Sequence, residues 1–120
     1  MWQNLKGNFL RNQMSASSAK QGRWNDPDML QIGNGVLTEE EEKTHFVLWA
    51  VAKAPLIIGT DLSKISDSSK KILQNKNLIS INQDFLHEQV TCRSGCDPAN
   101  PSSLHVYQGL VMRTEEEGLY

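Results

Sequence analysis

The sequence predicts an α/β chain, in which helices and short strands alternate over residues 1–86 and a turn-rich β segment occupies 87–120. Three observations carry this reading. A helix with a start signal at Thr38 runs towards a stop at Pro55. Directly after it, Leu56-Ile57-Ile58-Gly59 is a continuous apolar run, the pattern of a parallel strand buried on both faces. Beyond Asp84, helical spacing gives way to turns around Cys92-Arg93-Ser94-Gly95-Cys96 and Asp97-Pro98-Ala99-Asn100-Pro101-Ser102, then to an extended run at Leu104-His105-Val106-Tyr107-Gln108-Gly109-Leu110.

Each element has its own local justification. Trp2, Leu5, Phe9 and Leu10 fall at spacings of three, four and one, the apolar side of a helix ending near Met14. Ser15 to Gln21 is a polar connector, and a short strand is expected to deliver Trp24 and Asn25 to the turn carrying Asp26 and Asp28. Thr38-Glu39-Glu40-Glu41 reads as a capping box, in which the threonine caps the first turn and Glu41 reaches back to it. Acidic side chains there also suit the positive end of the helix dipole, so the run is a helix start rather than a metal site. From Phe46 to Ala52 this helix is apolar almost all round, which assigns Trp49 to the core and His45 to packing rather than to acid/base work. Ser66 caps a helix running to about Gln74, with Ile72 and Leu73 inward and the lysines outward. Leu78-Ile79-Ser80-Ile81-Asn82 alternates apolar and polar, the pattern of a half-buried strand. The run from Leu104 is read as one β-strand leading into Val111-Met112-Arg113.

Composition narrows the function classes. With 38% hydrophobic and 22% charged residues and a formal net charge of −2, the chain reads as part of a soluble globular protein. It carries no basic stripe, and Lys70-Lys71 reads as the solvated side of a helix, so neither nucleic acid nor an anionic membrane is an expected partner. The longest apolar run, Phe46 to Gly59, contains Lys53 and Pro55 and is shorter than the ~20 residues a membrane span requires. Met1 to Lys6 lacks the features of a secretory signal, and Asn100-Pro101-Ser102 is excluded as a glycosylation sequon by its proline.

The densest chemistry lies in Gly22-Arg23-Trp24-Asn25-Asp26-Pro27-Asp28-Met29-Leu30-Gln31-Ile32-Gly33-Asn34-Gly35. Proline fixes its own φ and drives the preceding residue towards extended geometry, so Asp26 and Asp28 are held apart with little backbone freedom. Short Asp/Pro/Asn runs are ordinarily surface turns. Here an indole and Met29-Leu30 flank the carboxylates, a mixture of polar and apolar surface that suits a hydroxyl-rich ligand, a sugar. An i, i+2 carboxylate pair can approach the roughly 5 to 5.5 Å separation of a retaining glycosidase. We reject it as a catalytic pair, because two neighbours on one tight turn cannot address an anomeric centre from opposite directions.

Four blocks in register carry a resemblance: Trp24 to Asn34, His45-Phe46-Val47-Leu48-Trp49-Ala50, Ala54-Pro55-Leu56-Ile57-Ile58-Gly59-Thr60-Asp61-Leu62, and Ile79-Ser80-Ile81-Asn82-Gln83-Asp84. Together they resemble the late barrel region of the family 27 glycoside hydrolases, the α-galactosidases and α-N-acetylgalactosaminidases, from about Trp2 to Asp84 and more loosely to Leu110. The resemblance implies the last part of a (β/α)8 TIM barrel over 1–86, followed over 87–120 by the first strands of an incomplete antiparallel β domain. An eight-stranded barrel alone needs roughly 250 residues, so a 120-residue chain is expected to be a fragment or a truncated gene model. An unfinished sheet edge is an aggregation hazard, and poor solubility is expected of the isolated chain.

The same resemblance implies residue roles. Asp28 matches an active-site wall residue that contacts the sugar, Met29 lies beside it, and Asp26 orients the loop, with Trp24 and Asn25 in support; Trp24 is either a sugar-stacking face or a structural indole. The family's nucleophile and acid/base are aspartates upstream of the segment matching Trp2, so no catalytic residue is assigned and the chain alone is expected to be inactive. The implied parent is a retaining hydrolase of terminal α-galactosyl groups, working without metal or organic cofactor, secreted or held in a lysosome or vacuole. Two rivals stand beside it: an interaction module without catalysis, and a parent acting on α-N-acetylgalactosamine or β-L-arabinopyranose. For Cys92 and Cys96 a small-loop disulfide is the first reading, reduced thiols the second and a metal site the third. That pair departs from the family pattern.

Overall fold

The computed structural model describes residues 1–96 and 104–112; the Asp97 to Ser102 turn region and the stretch from Arg113 onward, both read above from sequence, lie outside the described residues. Among the described residues four helices, α1 (Trp2–Met14), α2 (Glu39–Val51), α3 (Asp67–Leu73) and α4 (Lys76–Asn82), precede two strands, β1 (Thr91–Ser94) and β2 (Val106–Gln108). A 3-10 turn at Ala16–Ser18 lies within the expected connector.

α2 is the organiser, packing against α1, α3 and α4. Its start is the expected capping box: Thr38 accepts from the Glu41 backbone N–H, and the Glu41 carboxylate accepts from the Thr38 N–H at 2.9 Å. Its inner face buries Phe46, Trp49 and Ala50, while Val47 is 40% exposed, so the apolar surround expected from sequence is one broad stripe with an open back. Leu5 and Phe9 of α1, Leu30 and Ile32 of the loop, Ala52 and Ala54 just after α2, and Ile72 of α3 join it in the core. The helix ends at Val51, and Lys53 takes a left-handed φ of 54° two residues before Pro55. That turn tucks the Lys53 side chain inside, where its ammonium donates to the Ile81 carbonyl and lies 4.0 Å from the Asp84 carboxylate. Burial pushes the Lys53 ammonium down and Asp84 pulls it back up.

Three strand expectations are corrected. Trp24 and Asn25 lie on irregular chain; the nearby ladder contacts are an antiparallel bridge between Lys20 and Arg23 and a parallel one between Leu30 and Ile58. Leu56 to Gly59 holds that single bridge, with Leu30 N–H donating to Ile57 O at 2.8 Å and Gly59 N–H to Leu30 O at 3.1 Å. Ile57 and Ile58 are half exposed rather than buried on both faces, because only one neighbouring segment pairs with them among the described residues. The close approach requires glycine at 59, where a Cβ would stand 2.8 Å from the Leu30 carbonyl oxygen.

Leu78 to Asn82 is the third correction, a helix rather than a strand. The Asn75 side chain caps it by accepting from the Leu78 N–H at 3.1 Å. Leu78 and Ile79 lean on the core and Asn82, at helical spacing from both, is buried and donates to Ala54 O at 2.9 Å. Five alternating residues fit either period, and the cap decides. α3 follows expectation, with Ser66 as its N-cap, Ile72 buried and Lys70 and Lys71 exposed.

β1 and β2 pair antiparallel with an irregularity between Cys92 and Ser94. Cys92 to Ser94, read above as turn, is therefore strand, and the expected Leu104 to Leu110 strand is confined to Val106–Gln108. Cys92 and Cys96 form a disulfide, as the first reading of the pair held. Tyr107 anchors the hairpin by an edge-on contact with Phe9, ring centroids 5.2 Å apart.

Candidate functional site

The Asn25 to Gln31 loop lies against the flank of α1 and is held from below by α2. Pro27 is buried, while Asp26, Asp28 and Met29 on either side of it are exposed. Asp26 Oδ1 accepts the Asp28 backbone N–H at 2.9 Å, a side-chain turn that bends the chain around the proline. Asp28 takes a φ of 95°, a conformation that costs a residue with a Cβ on the order of 1 to 2 kcal/mol. Its Oδ1 accepts the Met29 N–H at 2.7 Å. Its carbonyl accepts the Trp49 indole N–H, also at 2.7 Å. Two residues beyond Met29, the Gln31 N–H donates to His45 Nε2 at 3.0 Å.

His45 is fully buried and stands edge-on to Trp49, centroids 4.1 Å apart. Accepting at Nε2 places the ring hydrogen on Nδ1. Burial pushes the imidazole from 6.5 down to about 4, with its own backbone opposing the shift. The ring is therefore neutral at physiological pH and acts as an acceptor.

Glu42, one turn earlier on α2, is buried and fully engaged, its two carboxylate oxygens accepting from Gly33 N–H and Ser69 Oγ–H at 2.7 Å each. At the loop's other end Asn25 Nδ2 donates to Ser15 O at 2.7 Å and to Gln89 Oε1 at 3.1 Å, and Gln89 Nε2 donates to Asn12 Oδ1 at 2.9 Å. This chain of amides ties α1, the loop and the approach to β1 together. Trp24 is 45% exposed, edge-on to His87 at 5.9 Å.

Two adjoining clefts meet at Asp28. One, of about 600 Å³, is lined by Asn8, Arg11, Asn12, Ser15, Asn25, Asp26, Pro27 and Asp28. The other, of about 460 Å³, shares Asn8, Arg11 and Asp28 and adds Asn4, Met29 and Gln31. Donors and acceptors of both kinds face this space beside a thioether, a lining able to satisfy vicinal hydroxyls and cover an apolar sugar edge. The sequence reading singled out the loop side of this wall and missed the helix side. Asn8, Arg11, Asn12 and Ser15 fall at i, i+3, i+4 and i+7, a polar stripe whose helical spacing is the signal that identifies it. Asp61, by contrast, is consumed locally: bonds from Ser63, then Lys64, hold its carboxyl below the ordinary range. Among the described residues there is no group of three or more His, Cys, Asp or Glu side chains placed to hold a metal ion, and no helix long and apolar enough to cross a membrane.

The loop, its parallel contact with Ile58 and the polar clefts at Asp28 make up one hydrogen-bonding wall. Residues 3–84 match the melibiase family described as alpha galactosidase A, and the chain belongs to that family. It is 46% identical over 88 residues to an alpha-galactosidase from Oryza sativa subsp. japonica, covering 73% of this chain and 21% of that protein. It is 55% identical over 65 residues to an alpha-N-acetylgalactosaminidase from Gallus gallus, covering 54% and 16%. The crystal structure of alpha-galactosidase I from Mortierella vinacea superposes with a TM-score of 0.73 at 32% identity, over 83% of this chain and 24% of that one. The chain thus spans about a fifth of the length of the relatives it matches.

Proposed function

We propose that this chain is the last part of the barrel, 1–86, and the opening of the β domain, 87–120, of a retaining glycoside hydrolase acting on terminal α-galactosyl residues. Within it, Asp28 and Met29 form a wall of the sugar site, with Trp24, Asn25 and Asp26 in support. The observation that carries the reading is Asp28 itself. A carboxylate residue kept at φ 95°, braced from three directions and opening on polar clefts, holds conformational strain that a plain surface turn has no reason to keep. Family membership then supplies the ligand class. In the complete site the Asp28 carboxylate accepts from sugar hydroxyls, and Met29 covers an apolar edge.

The catalytic pair belongs to the part of the barrel that precedes the segment matching Trp2, so these residues bind and orient while others carry out the double displacement; no metal or organic cofactor takes part. The likeness to an alpha-N-acetylgalactosaminidase keeps that sugar as the second reading. A secreted, lysosomal or vacuolar setting goes with the Cys92–Cys96 disulfide, which persists in oxidising compartments.

The test is a segment exchange. The chain alone should release no galactose from an α-galactoside above background. Exchanged for the matching segment of the rice alpha-galactosidase, residues 3–84 should support hydrolysis. Turnover by the 120-residue chain alone, or a folded but inactive hybrid, overturns the assignment.

A further inference from the structure

We propose that His45 and Trp49 are positioning residues for Asp28: two side chains one turn apart on α2 grip the loop at two backbone points and thereby aim the carboxylate. The inference rests on the function proposed above. Trp49 takes the Asp28 carbonyl through its indole N–H at 2.7 Å, and His45 takes the Gln31 amide through Nε2 at 3.0 Å. The two grips have opposite polarity, one a donor and the other an acceptor. They bracket Met29 and Leu30, so the segment that leaves the left-handed Asp28 is fixed at both ends. Both rings are fully buried and stand edge to face, so neither can turn without displacing the other. A left-handed Asp28 relaxes towards ordinary geometry once released; the carbonyl and the carboxylate then turn together, because both lie beyond the N–Cα bond about which φ changes.

The acceptor role depends on a neutral imidazole. Protonated at Nε2, His45 presents a hydrogen to the hydrogen of Gln31 and the grip opens. Burial, with an opposing contribution from its own backbone, sets the proton affinity of the ring. The nearest acidic groups on α2 are occupied, Glu41 by Thr38 and Glu42 by Gly33 and Ser69. Asp26 and Asp28 of the loop, Lys6 and Arg11 of α1, Asp67, Lys70 and Lys71 of α3 and Lys76 of α4 are all exposed, whereas His45 is fully buried.

The experiment is amide hydrogen exchange on the full 15N-labelled chain, read at Gln31 and Met29 with the α2 amides as internal reference. His45→Leu should speed Gln31 exchange roughly tenfold, the loss of one buried hydrogen bond, while His45→Gln, whose Oε1 replaces the acceptor, should restore protection. Trp49→Phe, which keeps an aromatic ring and removes the N–H, should speed exchange at Met29. In the wild type, Gln31 protection should fall as pH drops through about 4 with α2 still protected, and His45→Gln should abolish that dependence. Unchanged Gln31 exchange in His45→Leu, or a His45→Gln profile that tracks the wild type through pH 4, overturns the proposal. If His45→Leu does not fold, the His45→Gln pH profile decides alone. These readings need no sugar, so an inactive hybrid in the segment exchange would sink the function and leave the positioning measurement standing.

Discussion

The loop at residues 25–31 and the strand pair β1–β2 are both short and rich in polar groups, yet they are held in opposite ways. The loop is fixed by distant residues: Trp49 is 21 positions from Asp28, His45 is 14 from Gln31, and Gln89 is 64 from Asn25. Among the described residues the strand pair is held by its own ladder bonds, a disulfide spanning four positions and an aromatic contact with α1, and the chain after it by the Met112 N–H donating to Asp84. A loop whose shape is set by a buried helix keeps that shape only while the helix is packed, and in return holds a strained residue in place. A hairpin set by a local covalent link survives changes elsewhere, but it cannot impose an unusual backbone on anything beyond itself. Of these two regions, the loop is the one that holds a described non-glycine residue at positive φ, Asp28.

The largest effect that sharpens this contrast is expected from Trp49→Ala, which removes a fully buried indole and the grip on Asp28 together; it should cost about 3 to 5 kcal/mol by chemical denaturation. A loss under about 1 kcal/mol would mean that α2 does not organise the loop. Next comes acid sensitivity. His45 has its folded proton affinity depressed from 6.5 to about 4, so the fold's preference for the neutral ring is fully present above about pH 6.5 and is lost as pH falls through 4. The drop is on the order of 3 kcal/mol, and His45→Gln should remove that part of the pH dependence. Equal acid sensitivity in wild type and variant would contradict it.

Reducing Cys92–Cys96 should cost about 2 kcal/mol, the value for so short a loop, and exchange should quicken in β1 and β2 but not at Gln31. Spread of the effect to the loop would erase the distinction between the two regions. The smallest expected difference lies at Asp28. Glycine carries no steric penalty at φ 95°, so Asp28→Gly should be more stable than Asp28→Ala by about 1 kcal/mol; equal midpoints would mean that the backbone there is relaxed.

Helix starts were the most legible features in the sequence, because a cap is a local device: Thr38 with Glu41, and Ser66, act within three residues of themselves. The Asn75 cap is equally local, but the alternation over the next residues satisfies two periods at once. Strand assignments at 24–25 and 56–59 depended on neighbours that a local pattern cannot supply, and the described residues give them one bridge. In the site, the Asp-Pro-Asp turn was legible because proline restricts its own backbone and that of the residue before it. The grips from Trp49 and His45 were not, since an indole and an imidazole in an apolar helix look the same from sequence whether they fill space or hold a loop. Glu42 was likewise hidden within an acidic run whose other members cap and solvate the helix.

The central claim is that Asp28 is a sugar-contacting wall residue, and it is tested most directly by the steady-state kinetics of Asp28→Asn in the hybrid that carries residues 3–84. The account predicts a fall in kcat/KM for an α-galactoside of roughly 30- to 900-fold, equivalent to about 2 to 4 kcal/mol, with the fold intact. An unchanged kcat/KM would remove Asp28 from the site and return the loop to a structural role.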